Sequence, residues 1–329
     1  MMGPRQEAQS ALFYDFSIDD HVPTDHVLRA IDGVIDLSSV RTHLTEFYSS
    51  TGRPSIDPEL MMRMLLVGYV MGIRSERRLC EEVHLNLAYR WFCKMDLSDP
   101  IPDHSTFSKN RHGRFRDSDV LRHVFETVVA QCIEAGLASG QRYAADASII
   151  AADANRQKST PKADWNPEAI DPDDAPRAVR EDLDTSDDSA FGAASPVVLK
   201  FISHSDPAPQ WTGARGGPAY FAYSTNDLID TDNAVNLDVE PTRSIRQAEA
   251  GAVRTMIDRV RKTHAHKPER LIADTAYGSD PMLDWLVETH GIAPHIPVID
   301  KSGRKDGTFR RAETISFEDT IDTCIRDFD

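Results

Sequence analysis

The pattern of apolar and polar positions changes period near residue 140. Upstream, apolar residues recur at helical spacing. Val27, Leu28, Ile31, Val34 and Ile35 follow Thr24, which reads as a cap. The longest apolar run, "LMMRMLLVGYVMGI" from Leu60 to Ile73, follows Asp57 as N-cap and Pro58 at the first helical position. Ser75 caps "ERRLCEEVHLN", "NLAYRWFCK" is a short aromatic helix, and Asp103 caps a helix beginning near His104. "DSDVLRHVFETVVAQCIEAGL" predicts a long amphipathic helix that stops near Gly136.

Downstream the signal is β and α in alternation. "QRYAADASII" predicts a strand, and "AYFAYSTNDLI" and "AVNLDVEP" predict two more, joined at a "DTDN" turn. "SIRQAEAGAVRTMIDRVRKTH" is a helix, and "PERLIADTAY", "DPMLDWLVETHG" and "IAPHIPVID" form strand, helix and strand. Between them, residues 155–217 are rich in Pro, Asp, Ser and Ala without sustained period. They read as an insertion, largely loop, with one short helix around 176–183. The chain thus divides into a helical domain, 1–138, an α/β domain, 139–308, and a tail, 309–329, that has no clear period.

Composition changes this picture little. The formal charge of −16 argues against a nucleic-acid partner until its distribution is read. Asp164 to Asp188 holds ten acids against Arg177 and Arg180, and Glu313 to Asp329 holds six against Arg326. These two stretches account for most of the excess, so local charge decides. Cys80, Cys93, Cys132 and Cys324 lack paired spacing, which reads as reduced thiols in the cytoplasm and gives no zinc motif. The start has no apolar signal core. The run 60–73 carries Arg63 and is too short to span a bilayer, so no membrane association is expected.

Two carboxylates stand out. Asp146 interrupts the apolar strand "YAADASII", and Asp274 does the same in "LIADTAYGS". Each sits where a strand gives way to a turn, the position at which open α/β sheets hold ligands. Gly278 permits a tight turn after the second acid, and Ser279 caps the next helix. Two acids on neighbouring strands repel unless they share divalent cations, and Mg²⁺ favours carboxylate oxygens, water and phosphates. Asp also serves as a turn former or cap. That is the reading for Asp153, Asp230 and Asp232, and the residues alone leave both readings open for Asp146 and Asp274. There is no Gly-x-Ser-x-Gly elbow for a nucleophilic triad.

The third feature is basic. "HSTFSKNRHGRFR", His104 to Arg116, holds Lys109, Arg111, Arg114 and Arg116 and no acid. It follows two short helices, 75–83 and 85–93, an order like that of a helix-turn-helix unit. Ser105, Thr106, Ser108 and Asn110 could bond phosphates or base edges. A solvated basic face is the structural alternative. "RRLCEE" reads as a salt-bridged helix surface.

With these motifs in view, residues 12–308 resemble the DDE transposases of bacterial insertion sequences, in the insertion-sequence-five group. The resemblance rests on "HVPTDHVLRAID", "FYSSTGRPSIDPELMMRMLLVGY", "GIRSERRLCEEVHLNLAYRWFC", "PDHSTFSKNRHGRF", "ADASIIAADANRQ", "GGPAYFAYSTNDLIDTDNAV" and "ERLIADTAYGS". It implies an all-helical DNA-binding domain followed by a ribonuclease-H-like core. The implied activity is DNA strand cleavage and transfer at element ends, with two Mg²⁺ or Mn²⁺ ions. Asp146 and Asp274 match the family's first and second metal-binding carboxylates, and Tyr277 and Gly278 belong to the turn after the second. Double-stranded DNA, as terminal inverted repeats and target, is the implied partner. A homodimer is the implied active form, and the nucleoid in the cytoplasm its place. The family's third carboxylate is a Glu within Tyr-x₂-Arg-x₃-Glu, and none of the eight tyrosines here is followed three residues later by Arg. The resemblance therefore carries the expectation of a chain shortened at its C-terminus and defective alone. The alternative is a non-catalytic product that occupies element ends or inhibits the full transposase.

Overall fold

The computed structural model describes residues 16–49, 51–52, 55–154, 156–166, 170–171, 201–212, 218–243 and 246–297. They fall into two compact units, Met1–Val128 and Val129–Asp329. The division lies earlier than residue 138, within a helix that runs unbroken from Val120 to Glu134.

The described part of the first unit is helical: α1 (Ile18–His21), α2 (Val27–Val34), α3 (Ser38–His43), α4 (Pro58–Val70), α5 (Glu76–Leu85), α6 (Leu87–Phe92), α7 (His104–Asn110) and the start of α8 (Val120–Glu134). The caps explain where most of these begin. Asp57 accepts from the Glu59 amide, Ser75 from Arg78 and Asp103 from Ser105, each tying down an amide that the first turn leaves unpaired. At α2 the cap is His26, whose Nδ1 accepts from the Leu28 amide, and not Thr24. A histidine nitrogen does there what a hydroxyl was expected to do. Gly136 ends the turn after α8 at φ +71°, a left-handed conformation that suits glycine.

Helix α4 is the centre of this unit. Met61, Met64 and Val67 are fully buried and pack with Leu28, Val40, Leu44, Val83, Phe92 and Phe107 in one cluster. Arg63 is buried among them. Its guanidinium donates to Asp32 at 2.7 Å, to Glu59 at 3.1 Å and to the Phe92 carbonyl at 3.1 Å, so one cation joins α2, α4 and the end of α6. Lys94 closes the network on Asp32 at 2.6 Å. Burial acts to raise the Asp32 pKa, but hydrogen bonds from Lys94 and Arg63 outweigh it and hold the carboxyl below its ordinary 3.8.

The second unit is built on a mixed sheet. Its strands are β1 (Arg142–Ala151), β4 (Gln210–Thr212), β5 (Tyr220–Asp230), β6 (Val235–Arg243), β7 (Arg270–Ile272) and β8 (Ala293–His295), while β2 (Ser159–Pro161) and β3 (Phe201–Ser203) form a separate pair. Strand β5 runs antiparallel to β1 on one edge. On its other edge it pairs β6 along 223–230 and β4 along 220–222. Beyond β1 lie β7 and then β8, both parallel to it. The order is thus β6–β5–β1–β7–β8, with β1 central. Helix α9 (Arg246–His264) covers the face that carries Ser224, Leu228 and Asp238, where Arg259 reaches the buried Asp238 at 2.9 Å. Helix α10 (Asp280–Asp284) lies against α9 through Arg254, which donates to the Pro281 carbonyl.

Strand β4 corrects the expectation that 155–217 is largely loop. Trp211 packs edge-on against Phe221 at 5.0 Å and against Phe201 at 5.9 Å, and these aromatics anchor a strand within a Pro- and Asp-rich stretch. The helix expected at 176–183 and the tail 309–329 lie outside the described residues.

The Arg63 network generates a prediction. Arg63→Met keeps the stem but leaves Asp32 and Glu59 without their shared cation, and it should destabilise the protein by about 3–5 kcal/mol, the cost of breaking a buried pair. Urea denaturation followed by the fluorescence of Trp91, on α6, is the measurement. Because the Asp32 pKa is depressed on folding, its contribution is complete above pH 3.8 and is lost as pH falls through the lower folded value. An unchanged midpoint for Arg63→Met would remove the network from any stabilising role.

Candidate functional site

Strand β1 places Asp146 at the middle of the sheet. Tyr143 and Ala145 are buried on the α9 side, and the alternation of a strand then turns Asp146 and Ser148 to the other, exposed face. The pairing with β5 sets Asp146 directly opposite Asp227, an acid that sequence reasoning passed over. On the other edge, Ala144 pairs Ile272, where β7 ends, and Asp274 lies two residues beyond as the cap of the turn that follows.

Strand β7 ends at Ile272, whereas β1 continues to Ala151. Beside Asp146 the sheet edge faces a turn instead of a strand. That turn is a single 3₁₀ turn, Thr275–Tyr277, capped by Asp274, whose carboxylate accepts from the Ala276 amide at 2.8 Å. Asp146 accepts from the Ala147 amide at 2.8 Å. Both carboxylates are exposed, and each keeps acceptor capacity beyond the amide it holds. Tyr277 is 2 % exposed, and its hydroxyl has no hydrogen-bond partner among the described residues. Its pKa is raised, first by burial and then by the charges of Glu249, Asp146 and Asp274.

Two details of the turn differ from expectation. Gly278 has φ −81°, which any residue adopts. Glycine fits there because a Cβ would come within 3.2 Å of the Pro297 carbonyl oxygen and 3.3 Å of Ile296. Ser279 stands at the N-cap of α10 but makes no side-chain capping bond. Of the acids read as turn formers, Asp230 is fully buried and accepts from the Gly140 and Asp232 amides, and Asp232 holds Ser139 and Arg142.

The donor set is all oxygen, which suits a hard cation such as Mg²⁺. A buried hydroxyl without a partner beside the acids is consistent with a site that takes a polar ligand. Among the described residues no three acidic, histidine or cysteine side chains gather at coordinating distance. The acids suit an ion that keeps much of its water.

In the first unit the basic segment forms α7 and a π-turn, Arg111–Phe115. Asn110 is buried; its amide donates to the Thr106 carbonyl and its oxygen accepts from Arg114. It is therefore committed inside the unit rather than presented to a partner. Arg114 also donates to the Phe47 carbonyl and lies over the Tyr48 ring at 4.6 Å. Arg111 bonds Glu76 and Tyr69, each at 3.1 Å, and Arg116 pairs Asp117. Ser105, Thr106 and Lys109 are exposed, and Ser108 is half-buried. An open groove of about 640 Å³ runs between α5 and α7, lined by Arg77, His104, Ser105, Ser108, Lys109 and His112 together with Ser75 and one acid, Glu76, which Arg111 pairs at 3.1 Å. Arg78 pairs Glu82, as a salt-bridged surface would, but Arg77 turns toward His104 at 3.3 Å and joins the groove. The connection between α6 and α7, residues 93–103, is longer than the tight turn of a compact helix-turn-helix.

Residues 16–113 match the family model described as "Transposase domain (DUF772)". The match lies within the first unit and covers 98 of the 329 residues. Among solved structures, one similar chain is that of the "Cryo-EM structure of piggyBac transposase synaptic complex with hairpin DNA", at 10 % identity and a TM-score of 0.33. The match covers 84 % of this chain and 49 % of that one, so the present chain spans about half the length of that relative. No curated protein matches the sequence. No helix of the described residues is long and apolar enough to cross a membrane.

The register yields a prediction. Like charges directly opposite on paired strands destabilise a sheet. In the absence of divalent cations, Asp146→Asn should therefore raise stability by about 0.2–1 kcal/mol. The gain should shrink as salt screens the Asp146–Asp227 repulsion. Urea titrations in EDTA at two salt concentrations test this; a destabilised variant would mean the pair is not repulsive.

Proposed function

We propose that this chain is a metal-dependent transposase of the insertion-sequence-five group, cleaving DNA at element ends and joining the freed end to target DNA. The observation that carries the proposal is the match of residues 16–113 to a transposase domain, in a chain that sets Asp146 on β1 and Asp274 just past the end of the parallel neighbour β7. The strand order β6–β5–β1–β7–β8, in which β5 alone of the five runs against the others, supports a ribonuclease-H-like core. The reaction is an in-line displacement at phosphorus. The oxygen of water or of a freed 3′-hydroxyl forms a P–O bond as the bond to the leaving 3′-oxygen breaks, and the attacking oxygen gives up its proton.

In this reading Asp146 and Asp274 hold the Mg²⁺ or Mn²⁺. Divalent cations held there would stabilise charge on the attacking and leaving oxygens. Tyr277 and Gly278 set the turn that Asp274 caps. Duplex DNA, as terminal inverted repeats and then as target, meets the groove between α5 and α7. Arg77 and Lys109 neutralise phosphates there, and Ser105, Thr106 and Ser108 offer hydrogen bonds. A homodimer holds the two element ends, and the protein works at the nucleoid.

Two experiments test this reading. Isothermal titration with Mn²⁺ should show binding to the parent and its loss in both Asp146→Asn and Asp274→Asn, with circular dichroism unchanged. Parent-like binding in both folded variants would remove the metal assignment. For DNA, the full chain should bind duplex with an affinity that falls steeply with salt. Lys109→Ala and Arg77→Ala should each weaken binding, and the log–log salt slope should become shallower by about 0.9 for each phosphate that is no longer neutralised. A salt-independent affinity, or parent slopes in both variants, would place the DNA interface elsewhere. Binding without Mg²⁺-dependent nicking of element ends would instead favour a protein that occupies ends and does not cut them.

A further inference from the structure

Two histidines outside the acid pair and the groove meet between α3 and α8 in the first unit. The imidazole of His43, at the end of α3, stacks face to face on that of His123, in the first turn of α8. The ring centroids are 4.4 Å apart and the planes lie within 10° of each other. Both residues are half-buried. Each ring is also pinned by a hydrogen bond. His43 Nε2 lies 2.6 Å from the Ser118 carbonyl oxygen, and since a carbonyl only accepts, this nitrogen carries a proton. His123 Nε2 meets the Ser39 hydroxyl at 3.0 Å. The two bonds cross: α3 holds the turn before α8 through His43, and α8 holds α3 through His123. Next to the pair, Val40 and Leu44 of α3 and Val120 of α8 are fully buried in the core of the unit.

Stacking of this kind suits neutral rings. A proton gained by one ring sets a cation against a neutral face. A proton gained by each sets two like charges 4.4 Å apart, with no space between them for water or a counter-ion. The groups around His123 do not remove that cost. Burial first, and then the His43 ring, oppose its protonation and hold its pKa below the ordinary 6.5. Glu126, nearly one turn along α8, favours protonation, but its carboxylate is engaged by Arg122 at 2.8 Å. The sign follows from the depressed pKa. Above pH 6.5 the neutral ring costs nothing; as pH falls below 6.5 an opened state takes up a proton that the closed state refuses, and the closed state loses stability.

We propose that His43 and His123 form a pH-sensitive clasp: as neutral rings they hold the first turns of α8 on α3, and protonation of both parts them and releases those turns with the Ser118 turn. Ser118 lies two residues beyond the basic segment 104–116, and its amide donates to the Arg114 carbonyl. The clasp therefore also governs how firmly the end of that segment is held. It needs neither metal nor DNA to operate.

Two NMR measurements on the full-length chain test the clasp. One is the titration of the His123 ring Cε1 proton. The other is hydrogen-exchange protection of the α8 amides His123 to Thr127, corrected for the intrinsic effect of pH on exchange. In the parent, protection should be high at about pH 8 and be lost toward about pH 5, the interval in which histidine changes charge, along the curve on which His123 takes up its proton. His43→Gln keeps an N–H for the Ser118 carbonyl and removes one of the two charges. In this variant the His123 titration should shift to higher pH, and protection should persist at low pH. Equal loss of protection in parent and variant, or an unmoved His123 titration, overturns the clasp. So does parent protection that does not change across the interval. If His43→Gln does not fold, His123→Gln carries the comparison: its α8 protection should be insensitive to pH, and a loss equal to the parent's overturns the clasp.

Discussion

The second unit depends on the register of β1. Its pairing with β5 runs through nine residues, Tyr143 to Ala151, while its pairing with β7 stops after Ala144. The long pairing fixes which face each residue of β1 presents. A slip of one residue would bury Asp146 against α9 and expose Tyr143, so burial of Tyr143 and Ala145 is what holds the acid outward. The short pairing leaves a place for the 3₁₀ turn that Asp274 caps.

The first unit is organised by a buried charge. Arg63 interrupts an otherwise apolar face of α4, and three acceptors from three segments converge on it. Such a network contributes little net stability compared with a well-packed apolar substitute, because desolvation offsets most of the attraction. Its effect is geometric: α2, α4 and the end of α6 must each deliver an oxygen to one planar group. The arginines of the 104–116 segment show the same economy. Arg111 and Arg114 are tied to Glu76, Tyr69, Phe47 and Asn110, so they brace α7 against its neighbours, and the outward charge of the groove falls to Arg77 and Lys109.

How much of this was legible in the sequence follows from the range of each interaction. Caps are local, and Asp57, Ser75 and Asp103 were readable as such because a carboxylate or hydroxyl meets an amide two or three residues on. Strand β1, the hairpin and the strand–helix–strand unit were readable from period and turn residues. Asp274 was readable as an acid just past a strand end, but Asp146, read the same way, lies in the middle of β1, which stays paired with β5 as far as Ala151. Asp227 was not readable, because its significance lies in a partner 81 positions away across a strand pair. Counting cations along "HSTFSKNRHGRFR" overstated its free charge, since composition does not show which guanidinium is already engaged. Strand β4 was masked by its neighbours' composition, its own signal being the aromatic Trp211 alone.

The two units pose opposite electrostatic problems, and this constrains how they could serve one substrate. In the proposed reading, DNA is drawn to the groove of the first unit by phosphate neutralisation, which displaces counterions and weakens with salt. The same phosphates would be repelled by the acids of the second unit, where Asp227 stands opposite Asp146. A divalent cation reverses the sign of that local field, because the ion is the largest charge present. In the proposed reading, metal and DNA therefore favour each other's binding at these acids, and linkage requires the effect to be mutual. The overall charge of −16 does not oppose this, since screening over about 8–10 Å confines the relevant field to the groups around each site. An acidic protein can act on an acidic polymer provided that its cations are placed where the two first meet and its carboxylates where metal is held.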